Sequence, residues 1–573
     1  MERTILTGYP STDKPWLKYY SEEALHTPVP QCTVFDFLFE RNKDRLDDIA
    51  LVYFGNKISY KQLFKEIDAA TGAFISLGVK PGDTVTICSV NMPEVVYAFY
   101  ALNRLGAISN MIDPRTNIER ISQYLVNAKS KVVFSIDKAL PKFTKMQQSG
   151  IITQLISLSP ADSLPFPAKL AYMLKRENNA PKCGSWINWK TFISKATSFD
   201  LHPGTYKKGC PATIVYTGGT SGIPKGAVLS NDSLNALTIE YETNGMDYKR
   251  GDRFLNIMPP FIAYGVSCGL NMPLCIGLTN ILIPLFDPDQ FGDLIHKYRP
   301  NHFIGVPTHY EKLISSKKAQ NLDLSFIKTA AAGGDTLPPS SEDAINDFLK
   351  LHGCKNELIK GYGMTELGSA AATTRSNVNK RGSVGIPLPK TVASVHDIET
   401  GKELPVNQEG ELYFSSPTMM LGYLNNSKEM DKVLWMDETG TVWIRSGDIG
   451  YLDEDGFIFV RGRMKRMIIR PDGHNVWPSQ IEEVVMRHPS VSECAVVGMP
   501  NPEHKSGKIP TAFVVLKNGA DKTPQLIQEI DRFSKEYLPE RDTAMAYCFC
   551  DDLPLTPVGK VDYLALEKGV RST

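Results

Sequence analysis

A glycine- and hydroxyl-rich stretch, YTGGTSGIPKGAVLS at positions 216–230, surrounds a single lysine, Lys225. Glycines let the backbone approach an anion and present N–H groups, hydroxyls donate further hydrogen bonds, and a lysine neutralises charge. The common nucleotide loop needs GxxxxGK[ST], but here Pro224 precedes the lysine and Gly226 follows it. The stretch is therefore either a different kind of phosphate-binding loop or only a flexible turn.

Three further short motifs contain groups that suit a nucleotide. In GYGMTE, Tyr362 could stack on a base, Thr365 could bond a phosphate, and Glu366 could bind Mg²⁺ through oxygen. In RSGD, Asp448 ends a predicted strand, where a carboxylate can accept bonds from both ribose hydroxyls. In PVGK, Lys560 follows a glycine in a predicted flexible loop. Each motif alone also has an ordinary explanation: a strand-end loop with a capping threonine, a turn-forming aspartate, and a solvated surface lysine.

The elements that must position these groups alternate between helix and strand in the first part of the chain. DTVTICSVN, KVVFSI and NHFIGVP are typical of buried strands, and PEVVYAFYALNRLG predicts a helix that begins at Pro93. This alternation favours parallel sheets covered by helices. A long, Pro-rich connection between Leu140 and Tyr206 is predicted to interrupt the pattern as an insertion would. PATIVY is predicted to be a strand, and KGAVLSNDSLNAL is predicted to enter a helix.

From GSVGIP onward, short alternating strands and glycine turns predict a small β subdomain, in which DEDG forms a hairpin turn. After Arg463 a compact α/β unit begins, and Ser479 is predicted to cap its first helix. The sequence therefore predicts an α/β protein with two domains. Residues 1–464 form a large N-terminal domain of helix-covered sheets plus the β subdomain, and residues 465–573 form a small C-terminal α/β domain.

Composition excludes several classes of protein. The chain has 573 residues, which is too long for one hydrophobic core. Lys plus Arg and Asp plus Glu are both 63, so the formal net charge is zero and nothing indicates a nucleic-acid partner. The first residues lack the apolar core of a signal peptide, and the ten cysteines show no C-x-x-C spacing. We therefore expect a cytoplasmic protein with free thiols.

Together and in this order, YTGGTSGIPKG, GYGMTE, RSGD, GRMKR and PVGK resemble the motifs of the adenylate-forming (AMP-binding) superfamily. That superfamily includes acyl-CoA synthetases, peptide-synthetase adenylation domains and luciferases. The resemblance extends over roughly residues 32–565. It implies that the glycine-rich stretch binds the β- and γ-phosphates of ATP, and that the small C-terminal domain is mobile and rotates between two half-reactions.

The resemblance also assigns roles to individual residues. The implied ATP contacts are Thr217, Gly219, Thr220, Ser221 and Lys225 at the phosphates, Gly333, Gly334 and Asp335 beside adenine, Tyr362 stacked on it, Thr365 at the α-phosphate, Asp448 at the ribose, and Arg463 as a second nucleotide contact. Glu366 matches the magnesium ligand, Lys465 the hinge, Gly473 the glycine beside the thiol channel, and Lys560 the catalytic lysine. Lys560, Thr365 and Glu366 form the implied catalytic set.

These groups fit one reaction. A carboxylate oxygen attacks the α-phosphorus of ATP and displaces pyrophosphate, so two anions must approach each other. Lys560 between the carboxylate and the α-phosphate, together with Mg²⁺ on the phosphates, would offset that repulsion. The acyl-adenylate is then a mixed anhydride that a thiol can attack.

The acid is predicted from the segments that resemble the family's acyl pocket, which contain Phe261, Ile262, Tyr264, Gly265, Gly368 and Ser369. FIAYGVSCGL has no acidic residue to bind an α-ammonium group, and the small residues of GSAA leave room for an apolar chain. We therefore expect a medium- to long-chain fatty acid. Ile262 stands where the family often has histidine, and Asp335 replaces a commoner small residue, so the acyl gate and the adenine contacts are expected to differ.

The acceptor of the acyl group stays open. The leading hypothesis is a fatty acid–CoA ligase that uses ATP, Mg²⁺ and coenzyme A. The alternative is an acyl-AMP ligase that loads the phosphopantetheine of a separate carrier protein; no carrier domain is recognised here, because GGDTL has Thr336 where a carrier site needs serine. Lys560 and Glu366 disfavour a regulator without turnover. LPFPAKLAYMLKRE, with its apolar and basic residues, allows at most a peripheral membrane contact.

Overall fold

The computed structural model describes residues 6–175, 185–198, 206–217, 225–501, 507–517, 519–555 and 561–569. The strands of its first part are β1 (Ile49–Tyr53), β2 (Asn56–Ser59), β3 (Thr84–Cys88), β4 (Ile108–Ile112), β5 (Val132–Ile136), β6 (Gln154–Leu158), β7 (Trp186–Asn188), β8 (Pro211–Tyr216), β9 (Gly226–Ser230), β10 (Arg253–Asn256), β11 (Thr279–Leu282), β12 (His302–Gly305), β13 (Thr329–Gly333), β14 (Ile359–Tyr362), β15 (Ala372–Thr373) and β16 (Ile386–Pro387). The later strands are β17 (Val392–His396), β18 (Gly410–Ser415), β19 (Gly422–Tyr423), β20 (Leu434–Met436), β21 (Val442–Leu452), β22 (Ile458–Arg463), β23 (Ile468–Ile469), β24 (Asn475–Val476), β25 (Val491–Pro500), β26 (Lys508–Leu516) and β27 (Ala546–Cys550).

The α-helices cover these sheets and range from single turns to more than four turns. They are α1 (Pro10–Asp13), α2 (Glu22–His26), α3 (Val34–Asn42), α4 (Tyr60–Ser76), α5 (Pro93–Leu105), α6 (Ile118–Asn127), α7 (Leu140–Gln148), α8 (Phe166–Lys175), α9 (Trp189–Ile193), α10 (Asn231–Thr243), α11 (Met272–Ile276), α12 (Phe291–Tyr298), α13 (Pro307–Ser315), α14 (Pro339–Leu351), α15 (Ser427–Met430), α16 (Pro478–Met486), α17 (Pro524–Tyr537) and α18 (Tyr563–Glu567). Within the described residues, no helix is both long and apolar enough to cross a membrane.

Two large sheets organise the N-terminal part, and the predicted parallel α/β architecture is confirmed. One sheet has the order β16-β15-β14-β13-β12-β10-β11-β1-β2, and the other has the order β19-β9-β8-β4-β3-β5-β6-β7. Their interior strands pair in parallel. Antiparallel strands lie at both ends of the first order and only at the β19 end of the second. The carboxyl ends of the parallel strands within each sheet therefore meet at one edge, which is where ligands bind in such sheets.

Helix α5 packs in the core between the two sheets, and α4 packs against it. Every residue of α5 except Arg104 is buried, so this helix is apolar nearly all round, as a helix enclosed on all sides must be. Pro93 begins it, as predicted, and Gly106 ends it in the left-handed conformation at φ 75°. Leu51 of one sheet and Val85 of the other belong to the same hydrophobic cluster as this helix.

Two predictions about elements were wrong. The segment between Leu140 and Tyr206 continues the alternation, because β6 and β7 add to the edge of the second sheet in parallel. The residues after Lys225 form β9 before any helix begins. That strand pairs with β8 on one side and β19 on the other, and α10 starts only at Asn231, where Ser230 and Ser233 form a capping box.

The predicted β subdomain is confirmed as a separate sheet. Its order is β17-β18-β21-β20, with β22 paired to β21. The hairpin between β21 and β22 turns at DEDG, where Asp453 Oδ1 accepts hydrogen bonds from the N–H groups of Asp455 and Phe457. This hairpin places Asp448 opposite Arg463 in the strand register.

A small C-terminal unit follows β22. A 3₁₀ turn at Met464–Arg466 leads into it, and β25, β26 and β27 form its sheet against α16 and α17. Arg466 anchors the turn to this unit: its guanidinium lies 2.5 Å from the Glu482 carboxylate and 3.6 Å from the ring centroid of Tyr563. Ser479 does not cap α16 as predicted, because its hydroxyl donates to the carbonyl of Arg461. The domain boundary between residues 464 and 465 stays a prediction.

Two neighbouring ion pairs differ sharply in their exposure to water. Lys360 of β14 and Glu342 of α14 form a pair with a separation of 2.5 Å, and their side chains are only 6% and 3% exposed. Arg381 and Asp343, next in sequence to Glu342, form a pair 2.7 Å long with side chains 59% and 50% exposed. The buried pair ties the strand that carries GYGMTE to the helix beside it.

We predict that Glu342→Ala lowers the free energy of unfolding by about 3–5 kcal/mol, because it leaves the ammonium group of Lys360 buried without its partner. Asp343→Ala is the matched control and should cost no more than about 1 kcal/mol, because its pair is solvated. Urea denaturation followed by tryptophan fluorescence measures both. Equal losses for the two variants would contradict this account of the buried pair.

Candidate active site

Strands β8 and β9 flank the glycine-rich stretch in the sequence and pair with each other. The N–H of Thr217 donates to the carbonyl of Lys225 at 2.9 Å, and the N–H of Lys225 donates to Thr217 Oγ1 at 3.2 Å. These two bonds close the base of the loop. Gly219, Thr220 and Ser221 lie outside the described residues, so their phosphate contacts stay predictions.

The side chain of Lys225 is bound by residues far away in the sequence. Its Nζ lies 2.7 Å from Glu429 Oε2 and 4.6 Å from the ring centroid of Tyr423. Glu429 also pairs with Lys432, and the hydrogen bonds from both lysines lower the pKa of Glu429 to about 2. The motif gave no sign of Glu429, which lies about 200 residues further along the chain. Any phosphate that binds Lys225 has to displace this carboxylate or share the lysine with it.

Tyr423 joins Lys225 to Glu366. Its hydroxyl donates to Glu366 Oε1, while its ring lies below the ammonium group of the lysine. Burial and the Glu366 carboxylate raise the pKa of Tyr423, so the hydroxyl remains a donor. Glu366 itself is 9% exposed and sits in the 3₁₀ turn Thr365–Leu367 directly after β14.

Glu366 could serve a magnesium ion bound together with phosphates. Among the described residues, no three His, Cys, Asp or Glu side chains come together as a metal site. A single carboxylate nevertheless suits Mg²⁺, which proteins usually bind through one or two carboxylates plus waters and substrate phosphates. The residues present therefore fit a nucleotide-bound magnesium ion and do not form a closed structural metal centre.

Asp448 is a buried member of the predicted nucleotide set. Tyr362 donates its hydroxyl to Oδ2 at 2.6 Å, and Arg463 Nε lies 3.0 Å from Oδ1. Asp448 is 3% exposed, and burial raises its pKa against the opposing effects of Arg463 and Tyr362. It lies inside β21 and not at a strand end as predicted, next to a bulge between Ile449 and Gly450. The strand position rules out a turn-forming role.

The predicted adenine loop follows β13. Gly333 pairs with Gly361 of β14, and a Cβ at Gly333 would lie only 3.1 Å from the Gly361 carbonyl oxygen. Gly334 adopts φ 83°, in the left-handed region that favours glycine. Asp335 is exposed and accepts the N–H of Thr336 at 2.8 Å. The Asp448 carboxylate, with smaller effects of Glu366 and Asp335, raises the pKa of Arg463.

The two predicted acyl-pocket segments contact each other. Tyr264 and Gly265 open a π-helical segment, Tyr264–Asn271, and such segments are frequent at functional sites. A Cβ at Gly265 would lie 1.7 Å from the Pro259 carbonyl oxygen, so this position needs glycine. Within the segment, Cys268 Sγ lies 3.4 Å from the hydroxyl of Ser369. Sequence reasoning missed Cys268 as the contact between the segments.

Gly368, Phe261 and Ile262 occupy distinct positions around this contact. Gly368 adopts φ 68°, and a Cβ there would meet the Thr418 carbonyl oxygen at 2.7 Å. The Phe261 ring lies 5.7 Å from the guanidinium of Arg115, a neighbour that the sequence did not indicate. Ile262 packs against the hydrophobic clusters of both large sheets. At the position where the family often has histidine, Ile262 therefore contacts two hydrophobic clusters through an apolar side chain.

The remaining predicted residues belong to the C-terminal part. Lys465 lies in the 3₁₀ turn that follows Arg463. Gly473 lies in the exposed turn between β23 and β24 at φ 81°, and its N–H donates to the Arg470 carbonyl at 2.9 Å. Lys560 lies outside the described residues. The roles of these residues as hinge, thiol-channel glycine and catalytic lysine stay predictions.

Family models for known proteins match two parts of the chain. A family model described as AMP-binding enzyme matches residues 38–424, and one described as AMP-binding enzyme C-terminal domain matches residues 480–560. Because the first match covers more than half of the chain, the protein belongs to the AMP-binding enzyme family, the adenylate-forming superfamily that its motifs resemble. Within it, the protein is a ligase of the AMP-forming acyl-CoA synthetase type.

Individual relatives agree on the family and differ in their acids. The chain is 32% identical to a long-chain-fatty-acid–CoA ligase of Bacillus subtilis (strain 168), with 96% of this chain and 97% of that protein covered. It is 27% identical to a probable 4-coumarate–CoA ligase 1 of Dictyostelium discoideum, with coverage of 88% and 90%. Its fold matches the anthranilate CoA ligase AuaEII in complex with anthranoyl-AMP, with a TM-score of 0.81, 22% identity and coverage of 95% and 98%.

We predict that Asp448→Ala weakens ATP binding far more than binding of the acid. A charged acceptor contributes about 1.5–3 kcal/mol per hydrogen bond, so the dissociation constant should rise at least about tenfold. Asp448→Asn should have a smaller effect, because it retains one acceptor oxygen. Calorimetric titration with ATP measures the change, and Asp437→Asn, in the nearby turn before β21, is the control. ATP affinity that is unchanged in Asp448→Ala would show that the carboxylate does not contact nucleotide.

Glu429→Gln should strengthen ATP binding, which is the opposite of the effect expected for Asp448→Ala. The substitution frees Lys225 from its carboxylate partner, and a solvated ion pair of this kind corresponds to a change of about two- to fivefold in the dissociation constant. Glu438→Gln, at an exposed position nine residues away, should leave the affinity unchanged. Weaker ATP binding in Glu429→Gln would mean that Glu429 positions the lysine for the nucleotide instead of competing for it.

Proposed function

We propose that the protein activates a carboxylic acid with ATP, releases pyrophosphate, and transfers the acyl group to coenzyme A with release of AMP. We further propose that the acid is a medium- to long-chain fatty acid. The observation that supports adenylation is the buried carboxylate of Asp448 with Tyr362 and Arg463 on its two oxygens. This contact joins the proposed ribose carboxylate to Tyr362, the proposed adenine platform, which ends β14 three residues before Thr365.

In the proposed first half-reaction, a carboxylate oxygen of the acid forms a bond to the α-phosphorus. The bond from that phosphorus to the bridging oxygen breaks, and pyrophosphate takes the electron pair. Lys225 and the N–H groups of the glycine-rich stretch would bind the leaving phosphates. Glu366 would hold Mg²⁺, which neutralises phosphate charge when bound. Thr365 and Lys560 would bind the α-phosphate, where charge builds up in the transition state.

In the proposed second half-reaction, the thiolate of coenzyme A attacks the acyl carbonyl, and the bond to the AMP oxygen breaks. Arg463 ends β22, and Lys465 follows in the 3₁₀ turn, so a rotation there would move the C-terminal unit relative to Asp448. Gly473 would then lie beside the entering thiol. Both steps would use the same nucleotide residues. The acid carboxylate and then the thiolate would have to reach one site in turn, and rotation of the C-terminal unit would allow this.

Two observations support a fatty acid. The full-length relative with 32% identity is named for long-chain fatty acids, whereas the relatives named for aromatic acids are less similar. The π-helical segment and the strand end before it contain no charged residue, and the contact that joins the two pocket segments is between Cys268 and Ser369. An apolar acyl chain needs no paired charge, whereas an amino acid or a dicarboxylic acid does.

We predict that kcat/KM rises along the series from acetate to laurate. Each buried methylene contributes about 0.8 kcal/mol, or about fourfold, until the pocket is full. Pyrophosphate release with benzoate, 4-coumarate and amino acids in the same panel measures the specificity. A maximum at acetate, an aromatic acid or an amino acid would overturn the fatty-acid assignment without affecting adenylation.

The same panel separates the two acceptors. AMP and a thioester should appear with free coenzyme A when laurate is the acid. A holo carrier protein and its apo form, which lacks the phosphopantetheine, are the paired controls for the alternative function. Thioester formed only with the holo carrier, and not with coenzyme A, would replace the ligase proposal by the carrier-loading one.

A further inference from the structure

A cavity of about 680 Å³ lies apart from the candidate active site, and none of its lining residues belongs to that site. It is enclosed by β2 and α4 on one side and by α5, the loop after β6, and α9 on the other. Its floor is buried and includes Glu94, Tyr97 and Trp189, whereas Lys57 and Lys190 at its rim are exposed. The cavity therefore has an open entrance and an enclosed base, as a ligand site requires.

Glu94 is the unusual residue at this base. It is the second residue of α5, is 1% exposed, and has no assigned part in adenylation. The Ser163 hydroxyl donates to its Oε1 at 2.6 Å, but Oε2 has no hydrogen-bond partner within the described part of the chain. An unpaired buried acceptor is costly, so proteins usually satisfy such an atom. A ligand that donates to Oε2 would remove that cost.

The wall beside Glu94 is fixed by contacts from both large sheets. Asn56 Nδ2 donates to the Ser163 carbonyl at 3.0 Å, and the Tyr53 hydroxyl donates to the Pro160 carbonyl at 3.2 Å. Asp162 accepts the N–H of Ser159 at 2.9 Å within the same loop. The loop that orients Ser163 is thereby connected to β1 and β2 as well as to β6.

The lining chemistry selects a cation with an apolar body. The cavity is lined by the carboxyl groups of Glu66, Glu94 and Asp162 and by the ammonium groups of Lys57 and Lys190. The rings of Tyr97 and Trp189 and the aliphatic side chains of Ile58, Leu164 and Ile193 complete the lining. The carboxyl groups outnumber the ammonium groups, and the lysines lie at the rim. The two rings pack against each other, with centroids 6.3 Å apart, and add apolar surface to the base. A bare metal ion fits poorly, since the described residues provide no trio of metal ligands and the aliphatic walls would offer it nothing.

We propose that this cavity binds a primary organic ammonium ion, with Glu94 Oε2 accepting a hydrogen bond from the ammonium group and the aromatic and aliphatic walls covering the hydrocarbon part. Binding at this place is independent of adenylation. The proposal assigns a second small-molecule site to the protein and gives a purpose to a buried carboxyl group that the ligase reaction leaves unused.

Protonation of Glu94 should make the affinity of this cavity for a cation depend on pH. Burial raises the pKa of Glu94 to about 8, the Ser163 hydroxyl opposes that shift, and Asp162 and Glu66 reinforce it. A cation binds the ionised carboxylate more tightly than the protonated acid. Affinity should therefore increase about tenfold from pH 7 to pH 9, as the ionised fraction of Glu94 increases from about one tenth to about nine tenths.

The test is calorimetric titration of the full chain with n-hexylammonium in the absence of ATP. A primary amine of this kind resembles lysine, with a pKa of about 10.4, and so stays largely charged up to pH 9. We expect binding that tightens about tenfold from pH 7 to pH 9. The neutral isostere hexan-1-ol should bind at least about tenfold more weakly at pH 9.

Glu94→Gln should lose at least about tenfold in affinity for n-hexylammonium at pH 9 and should show no rise with pH. Glu240→Gln is the matched control: Glu240 is also fully buried, its Oε2 also lacks a hydrogen-bond partner among the described residues, and burial raises its pKa to about 7, but it does not line the cavity. That variant should bind as the unmodified protein does.

Three results would overturn the proposal: equal binding of the amine and the alcohol, a flat pH profile in the unmodified protein, or unchanged binding in Glu94→Gln. If circular dichroism shows that Glu94→Gln does not fold, the first two comparisons still decide, because both use the unmodified chain. Laurate adenylation is measured separately, so failure of this site leaves the proposed ligase function untouched.

Discussion

The contact of Asp448 with Tyr362 and Arg463 connects three parts of the molecule through one buried carboxylate. Tyr362 ends β14 of a large parallel sheet, Asp448 lies inside β21 of the separate β sheet, and Arg463 is the last residue of β22. The 3₁₀ turn into the C-terminal unit begins immediately afterwards. A charge that is 3% exposed tolerates little displacement of its partners, because each would leave a buried ion unpaired. The orientation of the two sheets and the start of the last unit are therefore fixed at one point.

The segment around β19 makes a second connection of this kind. On one side, the N–H of Met420 donates to the carbonyl of Glu366. On the other side, the N–H groups of Leu421 and Leu424 donate to carbonyls of β9, and Tyr423 pairs with Ala227. Strand β9, which follows the glycine-rich stretch, and the turn after β14 thus bind the same short stretch of backbone. Motifs separated by about 140 residues lie close together because hydrogen bonds need partners at about 2.9 Å, wherever these occur in the chain.

Buried carboxyl groups in this protein are of different kinds, and the difference lies in their partners. Glu342 has Lys360, and Asp448 has Arg463, so each is a paired ion. Glu94 accepts a hydrogen bond from a serine hydroxyl, has no ion pair among the described residues, and burial moves its pKa upward to about 8. A paired carboxylate mainly fixes geometry, whereas an unpaired one is sensitive to any cation that reaches it. The Glu94 region differs from the other buried carboxyl groups described here because its carboxyl group has no ion pair and lies beside a cavity.

The sequence by itself determined the α/β class, the helix from Pro93 to Leu105, the DEDG hairpin and the order of the nucleotide motifs, because each depends on local periodicity, turn residues or short spacing. It did not determine that KGAVLS is a strand, since that assignment depends on β8 and β19 as neighbours. Nor did it place Asp448 within a strand, or bring Glu429 and Tyr423 to Lys225. These features involve partners about 10 to 200 residues apart. Only tertiary packing decided them, because burial and charge pairing depend on distance in space and not on distance along the chain.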